Sequence, residues 1–194
     1  MKRWHGNTLA LNRAFGLMTS KAADWNAPLF LGEFGLDAKA YRSGDYVAAI
    51  YDRLDAHLAS GAQWNYTPGW TLENKDGWNG EDFNIIEPNG RRRPNFRPRP
   101  YPRATAGMPL AFRFSQGPTS TLEYSWDHDP SRGVTEIFVP GALFPAERTS
   151  CLATPGISVN RDLARQVLLV RSDSPRRLSL RLEGPPVRAP STRR

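Results

Sequence analysis

Apolar positions in the first third of the chain predict helices alternating with strands. Residues 8–25 carry apolar side chains at helical spacing, and a proline follows where the helix should stop. Residues 45–60 repeat this pattern, with Gly61 as the expected C-terminal stop. Two short runs, 29–34 and 62–67, predict strands, the first of them buried on both faces. The order helix, strand, helix, strand with short links predicts parallel strands covered by helices.

From residue 108 onward, apolar and polar positions alternate instead. Leu178, Leu180 and Leu182 are separated by polar residues, which is the period-2 pattern of half-buried strands. Turns rich in Gly, Pro and Ser separate six predicted strands at residues 110–115, 121–127, 134–139, 156–159, 165–171 and 177–183. This pattern predicts a small β-sandwich.

The middle of the chain fits neither pattern. Residues 68–90 form a polar, aromatic loop, and the run RRRPNFRPRPYP follows it. Its four prolines exclude a regular helix or a central strand, so residues 91–103 predict an extended connector. We therefore expect an α/β domain at 1–90, an all-β domain at 104–184 and a disordered basic tail at 185–194.

The charge distribution supports two modules and restricts the possible partners. Residues 1–90 carry 8 basic and 11 acidic side chains, whereas residues 91–194 carry 18 arginines and 8 acids. The arginine run 91–103 allows a nucleic-acid or anionic-membrane surface. Its interleaved prolines, and the absence of lysine, favour structural pairing with acids of the preceding loop.

Composition excludes several other classes of protein and site. A single cysteine, Cys151, excludes an internal disulfide and a cysteine-based metal site. No apolar run approaches the roughly 20 residues of a membrane span. The N-terminus has no apolar segment typical of a signal peptide. The acids of the polar loop do not follow the calcium-loop template, so we expect no metal and no cofactor.

Glu33 is the main candidate for chemistry. It ends the run PLFLGEFG and has a glycine beside or near it on each side. A buried strand that delivers a carboxylate at its C-terminal end is how a barrel hydrolase presents a catalytic acid or nucleophile. A retaining glycosidase, however, needs two carboxylates.

Four segments resemble one known family. PLFLGEFG, AQWNYTPGW, DGWNGEDFNII and RPYPRATAG, in this order, resemble the C-terminal part of endoglycoceramidases, which are retaining glycosidases of glycoside hydrolase family 5. The resemblance implies a TIM barrel, of which this chain holds the last two βα units, followed by a β-sandwich. It implies that Glu33 is the nucleophile and that Trp64 lines the sugar subsite. Tyr66, Trp70 and Trp78 would line a sugar or acyl-chain groove.

The same resemblance shows what this sequence lacks. The family's acid/base glutamate, in an Asn-Glu-Pro context, has no counterpart, because Glu87-Pro88 follows Ile86 and comes after the Trp64 strand. We therefore expect little or no activity from the chain alone, and a missing N-terminal barrel part as a partner, encoded as a separate chain or upstream.

The resemblance also implies a glycolipid or oligosaccharide substrate and a secreted or cell-surface location. The main alternative is a non-catalytic β-sandwich that binds glycan or anionic lipid. A nucleic-acid-binding function rests on charge alone and is the weakest hypothesis.

Overall fold

The computed structural model describes residues 4–74 and 80–186, and the chain divides into two compact units, Met1–Arg97 and Pro98–Arg194. The first unit contains two helices and two strands: α1 (Thr8–Asp24), β1 (Phe30–Phe34), α2 (Ser43–Ala56) and β2 (Ser60–Gln63). The two strands pair in parallel, as the sequence predicts.

One face of this small sheet packs against the helices. The Asn7 side chain caps α1 by accepting from the Ala10 N–H at 3.0 Å, which satisfies one of the free donors at the helix start. Phe15 of α1 packs with Phe34 of β1 and with the buried face of α2. Apolar residues at helical spacing on both helices therefore bury against one sheet face, which is the ordinary source of stability for short helices.

Three details of this unit differ from the sequence predictions. β1 is not buried on both faces, because Phe30 is 62% exposed while Phe34 is 6% exposed. α2 ends at Ala56 rather than near Gly61, because Leu58 adopts a left-handed conformation with φ of 49° and Gly61 lies within β2. β2 ends at Gln63, so the rest of the predicted strand 62–67 lies beyond it.

The second unit consists of two four-stranded antiparallel sheets. Its strands are β3 (Tyr101–Ala104), β4 (Gly107–Gln116), β5 (Thr119–His128), β6 (Thr135–Phe138), β7 (Ser150–Ala153), β8 (Ser158–Asp162), β9 (Val167–Arg171) and β10 (Arg176–Pro186). One sheet has the order β4-β5-β10-β7 and the other has the order β3-β6-β9-β8.

The two sheets share one hydrophobic core. Trp126 of β5 and Leu178 of β10 have no exposed surface, and they join Ile137 and Val170 of the other sheet in the same cluster. Because side chains alternate along each strand, the opposite faces carry the polar residues. The alternation in the sequence therefore marks the buried face correctly.

The sequence analysis missed two strands, β3 and β7, and both lie at sheet edges. β3 contains Pro102, inside the predicted connector. An edge strand tolerates proline because one side of its backbone needs no ladder hydrogen bond. β7 has three exposed residues and one half-buried residue, so it shows no alternation to detect.

Candidate active site

Glu33 lies in an irregularity of β1. Leu31 pairs with Gly61, but Phe34 pairs with Gln63, so β1 has two residues where β2 has one. This is the pattern of a β-bulge, which redirects side chains and is frequent next to active sites. Leu31 and Phe34 both contact the helix side of the sheet, while Glu33 is exposed.

The two glycines near Glu33 have different roles. A Cβ on Gly35 would meet the carbonyl oxygen of Trp64 at 2.2 Å, so the segment after β1 approaches the segment after β2 more closely than any side chain allows. A Cβ on Gly32 would have nothing within 4 Å. Of the two glycines, Gly35 is therefore the one that admits a close approach of another segment.

Trp64 directly follows β2 and continues the parallel pairing. Its backbone N–H donates to the carbonyl oxygen of Phe34 at 2.8 Å, and its side chain is half-buried. Glu33 and Trp64 therefore lie at the carboxyl ends of two neighbouring parallel strands. The carboxyl ends of parallel strands are where α/β proteins place their ligand sites.

The aromatic residues predicted to line a groove do not share one environment. Tyr66 is 67% exposed, whereas Trp70 is 8% exposed. Trp78 lies outside the described residues. Tyr66 is thus available for contact with a ligand, while burial of Trp70 is typical of an aromatic side chain that anchors a loop.

Residues 82–95 return to the end of β2 and extend the pairing. The N–H of Asn65 donates to the Phe83 carbonyl at 3.3 Å, and the N–H of Ile85 donates to the Asn65 carbonyl at 3.1 Å. The N–H of Arg93 donates in turn to the Ile85 carbonyl at 3.0 Å. Residues 82–95 therefore lie beside the segment that follows Trp64 and are joined to it by backbone hydrogen bonds.

A buried ion pair joins the two ends of this segment. The guanidinium of Arg93 binds both carboxylate oxygens of Asp82, one of them at 2.8 Å, and the two side chains are 5% and 8% exposed. The hydrogen bond with Asp82 holds the pKa of Arg93 above its ordinary value. Glu87 lies 3.4 Å from the Nε of the same arginine.

Two buried asparagines in this region, Asn84 and Asn95, were missed by the sequence analysis. They are 1% and 0% exposed. Their side chains bond backbone groups of the segments that follow β1 and β2. The sequence carries little signal for a structural role of these two residues, because asparagine is common in loops. They differ from other loop asparagines in that their side chains bond buried backbone groups, which only the structure shows.

The predicted pairing of the arginine run with acids of the preceding loop holds for Arg91 and Arg93, whereas Arg97 pairs with Asp45 of α2. Besides Arg93, Arg91 lies 3.8 Å from Glu87 and Arg97 lies 3.6 Å from Asp45. In the second unit, the sheet β4-β5-β10-β7 carries further pairs on its outer face: Arg177 pairs with Asp127 and Arg181 with Glu123. Each of these arginines is therefore matched by an acid on the same face. Much of the positive charge of these parts is therefore neutralised locally.

Among residues 4–74 and 80–186, His, Cys, Asp and Glu form no group of three or more that is suited to a metal ion. No helix within this same part of the chain is long and apolar enough to cross a bilayer.

Comparisons with known proteins match this architecture. Residues 99–180 match the glycoside hydrolase family 5 C-terminal domain. A glucosylceramidase of Cryptococcus neoformans var. grubii is 26% identical in an alignment 179 residues long that covers 74% of this chain and 24% of that protein.

Two solved structures show the same fold. Endo-glycoceramidase II from Rhodococcus sp., as a lactosyl-enzyme intermediate, has a TM-score of 0.68 and 24% identity over 92% of this chain and 38% of its own. The same enzyme in complex with ganglioside GM3 has a TM-score of 0.63 and 21% identity over 95% of this chain and 42% of its own.

These matches confirm the resemblance to family 5 endoglycoceramidases and the mostly β architecture with two helices. The chain spans about a quarter of the curated relative (24%) and little more than a third of the first solved structure (38%). What those longer proteins do as wholes is therefore not transferred directly to this chain.

Proposed function

We propose that this chain, whose residues 99–180 match the family 5 C-terminal domain, contributes part of a retaining glycosidase that acts on glycolipids. Glu33 is the nucleophile, attacking the anomeric carbon to form a glycosyl-enzyme. The observation that carries this proposal is the bulge in β1, which leaves Glu33 exposed at a strand end beside Trp64. A carboxylate held there has access to a substrate on the side that the helices do not cover.

In this proposal the first unit is the last part of a TIM barrel. The parallel pair β1 and β2, with α1 and α2 packed on one face, supports this assignment, because a TIM barrel alternates parallel strands with helices that cover their outer side. The proposed domains are residues 1–90 for this part, 91–103 for the connector, 104–184 for the β-sandwich and 185–194 for a basic tail.

The acid/base carboxylate must come from outside this chain. In a retaining glycosidase it lies about 5–5.5 Å from the nucleophile. The exposed sides of β1 and of α1 are apolar at Phe30, Leu17 and Trp25, and β1 has an open edge among the described residues. These surfaces are suited to the remaining barrel units, in a separate chain or an upstream segment, and their absence leaves the chain with little or no activity.

The substrate side of the proposal rests on Trp64 and its neighbours. The Trp64 ring stacks on a sugar, because an aromatic face complements the C–H groups of a pyranose. Tyr66 extends the contact surface, and the buried Trp70 supports the loop that follows. The substrate is a glycosphingolipid or its oligosaccharide, and a secreted or cell-surface location belongs to the proposal on the resemblance alone.

Hydrolysis of a fluorescent GM3 analogue tests this assignment. A chimera is made in which residues 8–186 replace the matching C-terminal part of the Rhodococcus endo-glycoceramidase II. We expect the folded chimera to release the oligosaccharide and the Glu33→Gln variant to fall to background, since the amide cannot form the glycosyl-enzyme. Glu123→Gln, on the outer face of the sandwich, is the matched control and should keep full activity.

Two results would contradict the proposal. One is a folded chimera whose turnover survives Glu33→Gln. The other concerns the 194-residue chain by itself: turnover that is lost in Glu33→Gln would show that no second carboxylate from outside is needed.

The alternative, binding of glycan or anionic lipid by the β-sandwich alone, has less support. The balanced ion pairs on the outer face of its first sheet leave no excess of positive charge there. Co-sedimentation of the full chain with phosphatidylserine vesicles at low and high salt compares the two hypotheses, because a salt-sensitive interaction is expected only for the alternative.

A further inference from the structure

We infer that Asn84 and Asn95 are positioning residues for this site: their buried side-chain amides bind the segments that follow Trp64 and Glu33 to a common support, residues 82–95. The inference deepens the proposed function and rests on it for the role of the site. The structural part of the inference, that each side chain ties one of the two segments to residues 82–95, stands on hydrogen bonds alone.

Asn84 holds the segment that follows Trp64. Its Oδ1 accepts from the N–H of Thr67 at 2.9 Å, and its Nδ2 donates to the carbonyl oxygen of Thr67 at 2.6 Å. The same Nδ2 also donates to the carbonyl of Ile86. The side chain thus pairs with both backbone groups of Thr67, as a neighbouring strand would.

Asn95 holds the segment that follows Glu33. Its Nδ2 donates to the carbonyl oxygen of Leu36 at 3.2 Å and to that of Phe83 at 3.0 Å. Its own backbone carbonyl accepts from the Gln63 side chain at 2.9 Å. Asn95 therefore contacts the end of β2, the segment after β1 and the segment that carries Asn84.

At Asn84 the arrangement uses both ends of an amide, whereas at Asn95 the Nδ2 group donates and Oδ1 has no partner among the described residues. A buried backbone segment presents donors and acceptors together, and each must be satisfied. A neutral amide supplies one acceptor and two donors without the desolvation cost of a charge. The backbone hydrogen bond from the Trp64 N–H to the Phe34 carbonyl joins the strand ends directly. Beyond it, the two side chains bind the following segments to residues 82–95 and so limit how far those segments can move.

The variant Asn84→Asp tests the inference, because it keeps the shape of the side chain but replaces the Nδ2 donor with an acceptor that is charged in neutral buffer. The 194-residue chain is labelled with fluorotryptophan, and Trp64→Phe assigns the Trp64 fluorine resonance. In neutral buffer the carboxylate faces the Thr67 and Ile86 carbonyls, so we expect the Trp64 resonance to shift while that of Trp126 stays in place. Burial and these carbonyls raise the pKa of the introduced carboxyl group, so mild acid protonates it and restores a donor.

Return of the Trp64 resonance toward its wild-type position in mild acid is the expected signature, and it distinguishes positioning from a general loss of structure. The matched control is Asn74→Asp. Asn74 also bonds backbone groups with both ends of its amide: its Oδ1 accepts from the Thr71 N–H and its Nδ2 donates to the Gly69 carbonyl. Unlike Asn84, it is exposed. The inference is overturned by an unmoved Trp64 resonance in folded Asn84→Asp, or by an equal shift in Asn74→Asp.

Two further measurements keep the test decisive. If Asn84→Asp does not fold, amide hydrogen exchange of the wild-type chain replaces this measurement. We expect the Thr67 N–H to be protected from exchange as strongly as the N–H of Trp64. Exchange of the Thr67 N–H at the rate of an unbonded amide overturns the inference. Titration with lactose separates the two proposals. A Trp64 resonance that responds to Asn84→Asp but not to lactose supports positioning and counts against the sugar role of Trp64.

Discussion

The two units of this protein differ in how completely they bury their apolar surface. In the second unit, sheet faces from both sides meet in a core whose central residues, such as Trp126 and Leu178, are fully buried. In the first unit, one face of a two-stranded sheet packs on helices. Its apolar residues Leu17, Trp25 and Phe30 are 68%, 71% and 62% exposed.

This difference fits the proposal that the first unit packs against further barrel units, whereas the core of the second unit is closed between its own two sheets. Parallel sheets occur almost only with both faces covered, because their connections place helices or other layers there. Large exposed apolar side chains on neighbouring elements mark surfaces that bind another part of a protein.

Truncation of a large apolar side chain should separate the two units most strongly. We expect Trp126→Ala to lower the free energy of unfolding by about 3–5 kcal/mol, because it leaves a cavity in a closed core. Phe30→Ala should change it by no more than about 0.5 kcal/mol, because that ring is already solvated. Urea denaturation followed by circular dichroism measures both. A large loss of unfolding free energy in Phe30→Ala would contradict the conclusion that the Phe30 side chain on β1 is uncovered.

Removal of an arginine should have a different effect in each unit. Arg93→Ala leaves the Asp82 carboxylate buried without its main partner, so we expect a loss of about 3 kcal/mol in unfolding free energy. Arg177→Ala removes an exposed pair with Asp127 and should leave stability unchanged within error. If the double variant Arg93→Ala, Asp82→Asn is no more stable than Arg93→Ala, the loss does not come from the uncompensated charge.

The smallest expected effect is a dependence on acid in the second unit. The hydrogen bond from Arg177 lowers the pKa of Asp127, and hydrogen bonds from the Ser131 hydroxyl and backbone N–H lower that of Asp129. Their stabilising contribution is present above the ordinary carboxylate pKa and is lost as pH falls through the lowered values.

The midpoint of thermal unfolding, measured from neutral to acid pH, checks this prediction. The double variant Asp127→Asn, Asp129→Asn should show a slightly flatter acid limb than the wild-type chain. An unchanged slope would mean that other carboxylates account for the acid dependence.

The sequence predicted the main elements because each is encoded by a local pattern. The helical spacing around Phe15 and Ile50, and the alternation around Leu180, correctly indicated the elements and their buried faces. β7 was missed because three of its four residues are exposed, and β3 because proline is tolerated only at an edge. The position of a strand at a sheet edge, which explains both misses, cannot be inferred from its own residues.

The candidate site shows the same division. The sequence by itself placed Glu33 near the end of one short strand and Trp64 within the next predicted strand, 62–67, since the apolar runs that predict strands are local. That Trp64 follows β2, which ends at Gln63, came from the structure. Only the tertiary structure decided that a bulge exposes Glu33, that Gly35 admits the Trp64 carbonyl, and that Asn84 and Asn95 bond the strand ends. The reason is that strand register, close backbone approach and the partners of a buried amide all depend on residues far apart in the chain, which no local pattern encodes.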